Sequence, residues 1–466
     1  MIQRKAIPSL AEIAVALLVS GLTALSDEFG ELSDSFGGVV TLVGLRHGNT
    51  TNPDGTGINF WTPDYEGADA TSASLSNPHM SAADAYGNVY IADKASNAIL
   101  KIAPDGSIHT FAGTHEAGFN GDGPGLATEL QIASPNGLFV LPDGTVYLLD
   151  PGNHRIRRVG VDGVMATIVN DPDSGWAPSG RALWVSPDET LIYYTHEYPA
   201  APPSVIAAGA TVKMWTPAGG IETVCSKAVG FRNPGNIAVN PVDGKLYVTD
   251  RAEEDSAKLA TGLFRIDGPD QRTRVTGNVT QPKAAPGQLA INSFIEGVRG
   301  IAFLPNGSYF LCAHKGGDVW FVDTDGVLHR YIQGSGKGDA YLISTGQHPP
   351  LVGKSYVSQP RAVSLAPNGD LLVTCNDSGY VLRVQNTAPP SIAEGLRLRY
   401  EAGAVHVEWT GVFGRGYRLE RCVDLRTGLW TPIGAMGGQG PASVVGILDK
   451  PALYPHHAYY RVLPAL

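Results

Sequence analysis

From about residue 77 to residue 385 the chain alternates short apolar runs with clusters of turn residues. Between 134 and 159, apolar runs at 138–141 and 146–149 flank Pro142-Asp143-Gly144. A second turn, Pro151-Gly152-Asn153, leads into 156–159, where apolar and basic residues alternate. Runs this short, rich in β-branched and aromatic residues and bounded by Pro, Gly, Asp and Asn, predict antiparallel strands joined by tight turns. The unit recurs at 77–93, 134–150, 180–196, 233–250, 298–313 and 359–375. Five of the copies are followed by a third and a fourth short strand, as at 98–102 with 107–112 and at 319–322 with 328–332.

Four strands per repeat, at a spacing of roughly 40–65 residues, predict propeller blades, since solenoid repeats are shorter and more regular. The sixth copy has three strands and stops at residue 384. A lone apolar run far upstream, 38–44 (GVVTLVG), matches the fourth-strand pattern. It is expected to complete blade six, so that one blade shared by both ends of the array latches the ring and leaves no open sheet edge. The expected fold is all-β: a six-bladed β-propeller closed by an N-terminal strand, followed by a small β-sandwich.

The stretch Asn153-His154-Arg155-Ile156-Arg157 and the unit around it resemble an NHL repeat, and the loop 113–133 with the repeat that follows it resembles secreted bacterial proteins of that type. After residue 384 the repeat stops, and 386–391 (NTAPPS) reads as a linker. Strands are expected beyond it at 396–400, 405–409, 416–421, 430–433 and 459–463. Tyr417-Arg418-Leu419-Glu420, Leu429-Trp430-Thr431-Pro432 and Tyr459-Tyr460-Arg461-Val462 resemble the fibronectin-type-III-like or immunoglobulin-like modules that end secreted bacterial proteins. The resemblance implies an adhesion or spacer role. The expected division is a signal peptide at 1–26, the propeller at 27–385, the linker at 386–391 and the sandwich at 392–466.

Composition narrows the function. The 57 glycines and 33 prolines fit a turn-rich β protein, and the net charge of −10 argues against a nucleic-acid partner. Arg4 and Lys5 precede an apolar stretch at 13–25 that is short for a membrane span, which reads as an export signal. A secreted or periplasmic location with no span after signal removal follows, with other cell-surface proteins as the further class of partner. The four cysteines show no metal-ligand spacing and read as small buried residues, with a Cys312–Cys375 bridge between adjacent blades as an alternative. His456 and His457 read as surface residues. Asn120 and Asp122 are either turn residues or calcium ligands.

No catalytic signature stands out, so the repeats themselves guide the search. Eight positions before each Pro-x-Gly turn, where the innermost strand begins, stand His79, Asn136, Arg181, Arg299 and Arg361. An extra turn residue in blade four leaves Gly235 or Asn236 there. Beside them, at the ends of the second strands, stand Asp93, Asp150, His196, Asp250 with Arg251, His314 and Asn376. The aspartates are expected to tie their own loops through backbone N–H groups. Three arginines around one channel repel one another, which points to an anionic ligand: a small molecule or acidic saccharide. The candidate ligand-binding set is His79, Asn136, Arg181, His196, Asn236, Arg251, Arg299, His314 and Arg361.

The segments 134–150 and 180–197 also resemble the senescence-marker-protein/gluconolactonase family of metal-dependent lactonases. That resemblance implies metal ligation at Asn136. The family's carboxylates at the channel mouth are replaced here by Arg181, Arg299 and Arg361, which repel a divalent ion; Glu197, Asp150 or Asp250 are the substitutes at hand. NHL-type peptide-amidating lyases place histidines on zinc, a role for which His79, His196 and His314 are the candidates. A divalent cation, calcium or zinc, and a lactonase or lyase activity are therefore the alternative to binding. A structural or adhesive surface protein is the third reading.

Overall fold

The computed structural model describes residues 28–44, 52, 57–172, 183–198, 209–251, 261–314, 317–334, 356–357, 359–376, 378–387, 394–401, 404–411, 416–423, 425–437, 443–449 and 458–466. The expected signal segment, Arg181 and the His456-His457 pair lie outside these residues.

Six antiparallel sheets follow one another along the chain as a β-propeller. Blade one comprises Pro78–Ala83, Val89–Asp93, Ala98–Ile102 and Ile108–Ala112, hydrogen-bonded in that order. Blades two to five repeat the pattern with first strands Gly137–Val140, Trp184–Val185, Pro234–Val239 and Val298–Phe303. Blade six takes Pro360–Leu365, Leu371–Cys375 and Tyr380–Asn386 from the end of the array and Phe36–Val43 from its beginning. The N-terminal strand pairs antiparallel with Tyr380–Asn386, Val39 opposite Val384 and Thr41 opposite Leu382. This is the pairing expected from the apolar run at 38–44. Blades two and five carry additional two-residue strands, Gly125–Leu126 and Tyr356–Val357, beyond their fourth strands.

The blades bury their faces on one another. One cluster joins Leu141, Tyr147 and Leu149 of blade two to Leu183, Ile192 and Tyr194 of blade three. Another joins Phe310, Phe321 and Tyr331 of blade five to Val363, Val373 and Leu382 of blade six. Each fully buried aliphatic or aromatic side chain contributes about 1.5–3 kcal/mol. First strands sit side by side at the centre, and glycines set how closely they approach. A Cβ on Gly235 would lie 2.5 Å from the Arg299 carbonyl oxygen, and one on Gly300 would lie 2.7 Å from the Val363 nitrogen.

The turns between first and second strands form the lower face. Gly87, Gly144, Gly307 and Gly369 occupy one turn position with φ of 84–93°, a conformation that costs glycine little. In blade three Glu189 stands there with φ 58°. Its carboxylate accepts hydrogen bonds from Arg158 Nε (2.5 Å) and Tyr147 Oη (2.6 Å), which offset the backbone penalty of a side chain in that conformation.

The C-terminal module is a sandwich of two three-stranded sheets. Glu394–Glu401, Ala404–Gly411 and Ser443–Asp449 form one, and Thr431–Gly437, Gly416–Cys422 and Tyr459–Pro464 the other. Val407, Trp409, Tyr417 and Leu419 are buried between them. The strand at 443–449 escaped the sequence reading because SVVGILD is one apolar run broken by glycine, without a flanking alternation. The module rests on the lower face. Gly416 N donates to Pro367 O (2.9 Å) and Leu466 N donates to Ala85 O (3.1 Å), contacts to blades six and one. A short helix, Glu28–Asp34, covers the lower face of blade five. Glu28 accepts hydrogen bonds from Thr324 N and Oγ1, and Phe29 stacks on His329.

Candidate functional site at the upper channel mouth

The upper face is where first strands begin and second strands end. At the second position of the inner strand, blade one places His79, blade five Arg299 and blade six Arg361. Asn136 directly precedes the inner strand of blade two, and Asn236 is the third residue of that in blade four. Repeat alignment alone thus puts five of the candidates at one end of the central strands. His79 and Arg299 are each only 3% exposed, and Arg361 is half-buried.

Two of them touch. His79 Nδ1 lies 3.0 Å from the Asn77 carbonyl, so it acts as donor and leaves Nε2 as acceptor. Arg361 Nη1 then donates to Nε2 at 2.8 Å across the seam between blades six and one. The imidazole nitrogen, as acceptor, fixes the guanidinium at the seam. Asn376 locks the same seam, its Nδ2 donating to Asn77 Oδ1 (2.6 Å) and to Pro78 O (2.9 Å). The other seam contacts pass through backbone and hydroxyls. Thr249 Oγ1 accepts from Asn236 N and donates to the Arg299 carbonyl, joining blades four and five.

The residues at the second-strand ends play a different part. Asp93 accepts from Ser76 N, Asp150 from Ala133 N, and Asp250 from Arg232 N and Asn233 N. Each aspartate thus ties the loop that leads into its own blade, as the sequence suggested. Arg251 Nε donates to Asn233 Oδ1 (2.7 Å), and the His314 N–H bonds to Gly297 O. His196 departs from the expected ring. It is fully buried, with Nδ1 3.5 Å from Asp171 Oδ2 and its ring over that of Tyr198. Asp171 also accepts from Lys213 Nζ (2.8 Å) and Tyr194 Oη (2.9 Å). Burial alone would raise the Asp171 carboxyl, but the His196 ring beside it and the hydrogen bonds from Lys213 and Tyr194 outweigh it and hold the group well below the usual carboxylate range. The sequence reading missed this cluster, because nothing marks Asp171 and Lys213 as neighbours of His196 before the sheet is folded.

The NHL-like stretch is structural here. Arg157 and Asp150 form a wholly buried ion pair (Nε–Oδ2 3.2 Å), and Asn153 Nδ2 donates to the same carboxylate. Arg157 Nη1 also donates to Gly121 O, which pins the long loop onto blade two. That loop supplies no cation site. Asn120 spans Glu129 O and Gln131 N, and Asp122 Oδ1 accepts from Arg155 Nε and Thr167 Oγ1. Calcium ligation by Asn120 and Asp122 is therefore set aside: a guanidinium and a hydroxyl already hold the carboxylate.

The same test applies to the resident metal that the family resemblances imply. Asp150 and Asp250 are committed to backbone N–H groups, His79 to Arg361, and His196 to Asp171. Among the described residues no three His, Cys, Asp or Glu side chains converge. These donors do not fit a divalent cation at the mouth. The four cysteines are free and buried, so Cys312 and Cys375 are not bridged. Cys312 Sγ instead accepts from Gly300 N (3.1 Å), and burial pushes its thiol up to about 12.

Comparison with known proteins supports the fold. The chain resembles a structure of a protein of unknown function from Bacteroides thetaiotaomicron, with a TM-score of 0.54 and 14% identity over 75% of this chain and 75% of that one. It also resembles an auxiliary nutrient binding protein from Bacteroides ovatus, with a TM-score of 0.50 and 13% identity, covering 74% and 76%. A gluconolactonase from Xanthomonas campestris gives a TM-score of 0.47 and 14% identity, covering 76% and 92%. In sequence, teneurin-3 of Danio rerio is 35% identical over 106 residues, which span 20% of this chain and 4% of teneurin-3. No family model matches the chain. At these identities the likeness to solved structures is one of fold, and function rests on the site.

Proposed function

We propose that the protein is a binding protein whose upper channel mouth takes an anionic small molecule or acidic saccharide. The observation that carries this reading is the Arg361–His79 contact, which holds a half-buried guanidinium at the seam through a neutral acceptor. Arg299 occupies the matching position one blade away, and Arg181 has the matching position in the repeat of blade three. Asp93, Asp150 and Asp250, at the ends of the neighbouring second strands, accept backbone N–H groups of their own loops. Arginine presents a planar fork of donors that matches carboxylate and phosphate, and the chain's net charge of −10 makes a cationic mouth stand out locally.

Export to the periplasm or the medium accompanies this reading, on the strength of the basic and apolar segment at 1–26. Among the described residues no helix is long and apolar enough to cross a membrane. The C-terminal sandwich is then a spacer or attachment module. A thermal-shift panel of uronic acids, sugar phosphates and matched neutral sugars tests the reading. Anions are expected to raise the melting temperature and neutral sugars are not. A flat panel, or equal shifts for neutral sugars, would favour the structural or adhesive alternative.

A further inference from the structure

A cavity of about 480 Å³ opens at the other end of the molecule, between the lower face of blades two to four and the C-terminal sandwich. We propose that it binds an organic cation with an aromatic or aliphatic body. Its walls are apolar: Phe139 and Trp184 from inner strands, Pro142, Pro187 and Pro241 from the turns, and Met436 from the sandwich. The volume lies within the range of sites that enclose small molecules.

Charge selects the occupant. The charged residues lining the cavity are Asp143 and Glu189, both acidic. Glu189 is held by Arg158 and Tyr147. Asp143 Oδ1 accepts the Thr145 N–H (2.9 Å), and among the described residues Oδ2 accepts no hydrogen bond. In the lining of the same cavity, Phe139 and Trp184 meet edge to face with centroids 6.5 Å apart, and Trp184 packs against Tyr193 at 5.9 Å. Aromatic faces next to a carboxylate attract an ammonium and repel an anion. The site thus has the opposite polarity to the channel mouth, and it stands or falls apart from it. Met436 and Ala435 of the sandwich supply the wall that closes the cavity on that side.

The test uses the full chain and three probes of one shape: 2-phenylethylammonium, 2-phenylethanol and phenylacetate, titrated by calorimetry. The ammonium is expected to bind more tightly than the alcohol, and the acid not to bind. Asp143→Asn is expected to weaken the ammonium by about tenfold or more, down to the level of the alcohol. Met436→Trp fills the cavity and is expected to abolish binding of every probe; if that variant does not fold, Ala435→Phe narrows the same wall. Absence of ammonium binding, equal or tighter binding of the acid, an unchanged affinity in Asp143→Asn, or binding that survives the filled cavity overturns the proposal.

Discussion

Arg361 Nη1 lies 2.8 Å from His79 Nε2 although 282 residues separate them in sequence. The contact joins the last blade to the first, and two residues further along the same inner strand the hydroxyls of Ser81 and Thr374 (2.8 Å) cross the same seam. The proposed binding site therefore lies where the two ends of the repeat array come together.

The strand Phe36–Val43 holds that seam from outside. Val39 is 1% exposed and pairs with Val384 in blade six. Val39→Asp is predicted to cost about 3 kcal/mol or more in chemical denaturation, because it buries a carboxylate in an apolar cluster. Val161→Asp, at a position 71% exposed, should change stability by less than about 0.5 kcal/mol. Equal, small effects for both variants would mean that the N-terminal strand does not latch the ring.

The Asp150–Arg157 pair gives a second prediction. Burial pushes the Asp150 carboxyl up and the Arg157 guanidinium down, and each works against that shift in the other. Arg157→Met or Asp150→Asn alone should cost about 3–5 kcal/mol, by leaving a buried partner uncompensated. The double variant should lose less than the sum of the two, by about 1 kcal/mol or more. Additive losses in a double-mutant cycle would show that the pair is not coupled.

Much of this architecture was legible in the sequence, for a physical reason. Propeller blades are local structures, and their turns carry their own signals: Gly144, Gly307 and Gly369 sit at positive φ in the turns whose Pro-x-Gly spelling marked the repeats. The fourth strand of blade six was legible although it lies at the far end of the chain, because an unpaired edge demands a partner and 38–44 was the unassigned apolar run. The aspartates that end second strands were legible for the same local reason. What depended on long-range neighbours was not. Asn120 and Asp122 read as either turn residues or calcium ligands until Arg155 and Thr167 fold against Asp122. His196 reads as a mouth residue until Asp171 closes over it. Glu189 in place of a turn glycine gave no sign of Arg158 and Tyr147 beneath it.

Asp93 supplies a pH prediction. Burial, against the hydrogen bonds from Ser76, pushes its carboxyl up to about 7. At pH 5–6 the folded chain then keeps a proton that the unfolded chain has released. Stability from this group is full below the ordinary carboxylate value and is lost as pH rises through about 7. Asp93→Asn removes the titration, so the stability difference between wild type and variant should shift against the wild type by about 2–4 kcal/mol between pH 4 and pH 8. Denaturation midpoints at several pH values check this. Parallel curves for the two proteins would show that Asp93 is ionised throughout.

Anion binding by arginine forks at the upper mouth can be decided by one calorimetric titration. The acidic sugar or sugar phosphate that shifts wild type most is titrated into wild type, Arg361→Lys and Arg361→Ala at two salt concentrations. Wild type is expected to bind more tightly than the lysine variant, since lysine keeps the charge and loses the fork. The alanine variant is expected to lose about 1.5–3 kcal/mol, and binding to weaken at the higher salt. Equal affinity in all three proteins, or an affinity indifferent to salt, would contradict binding through the forks.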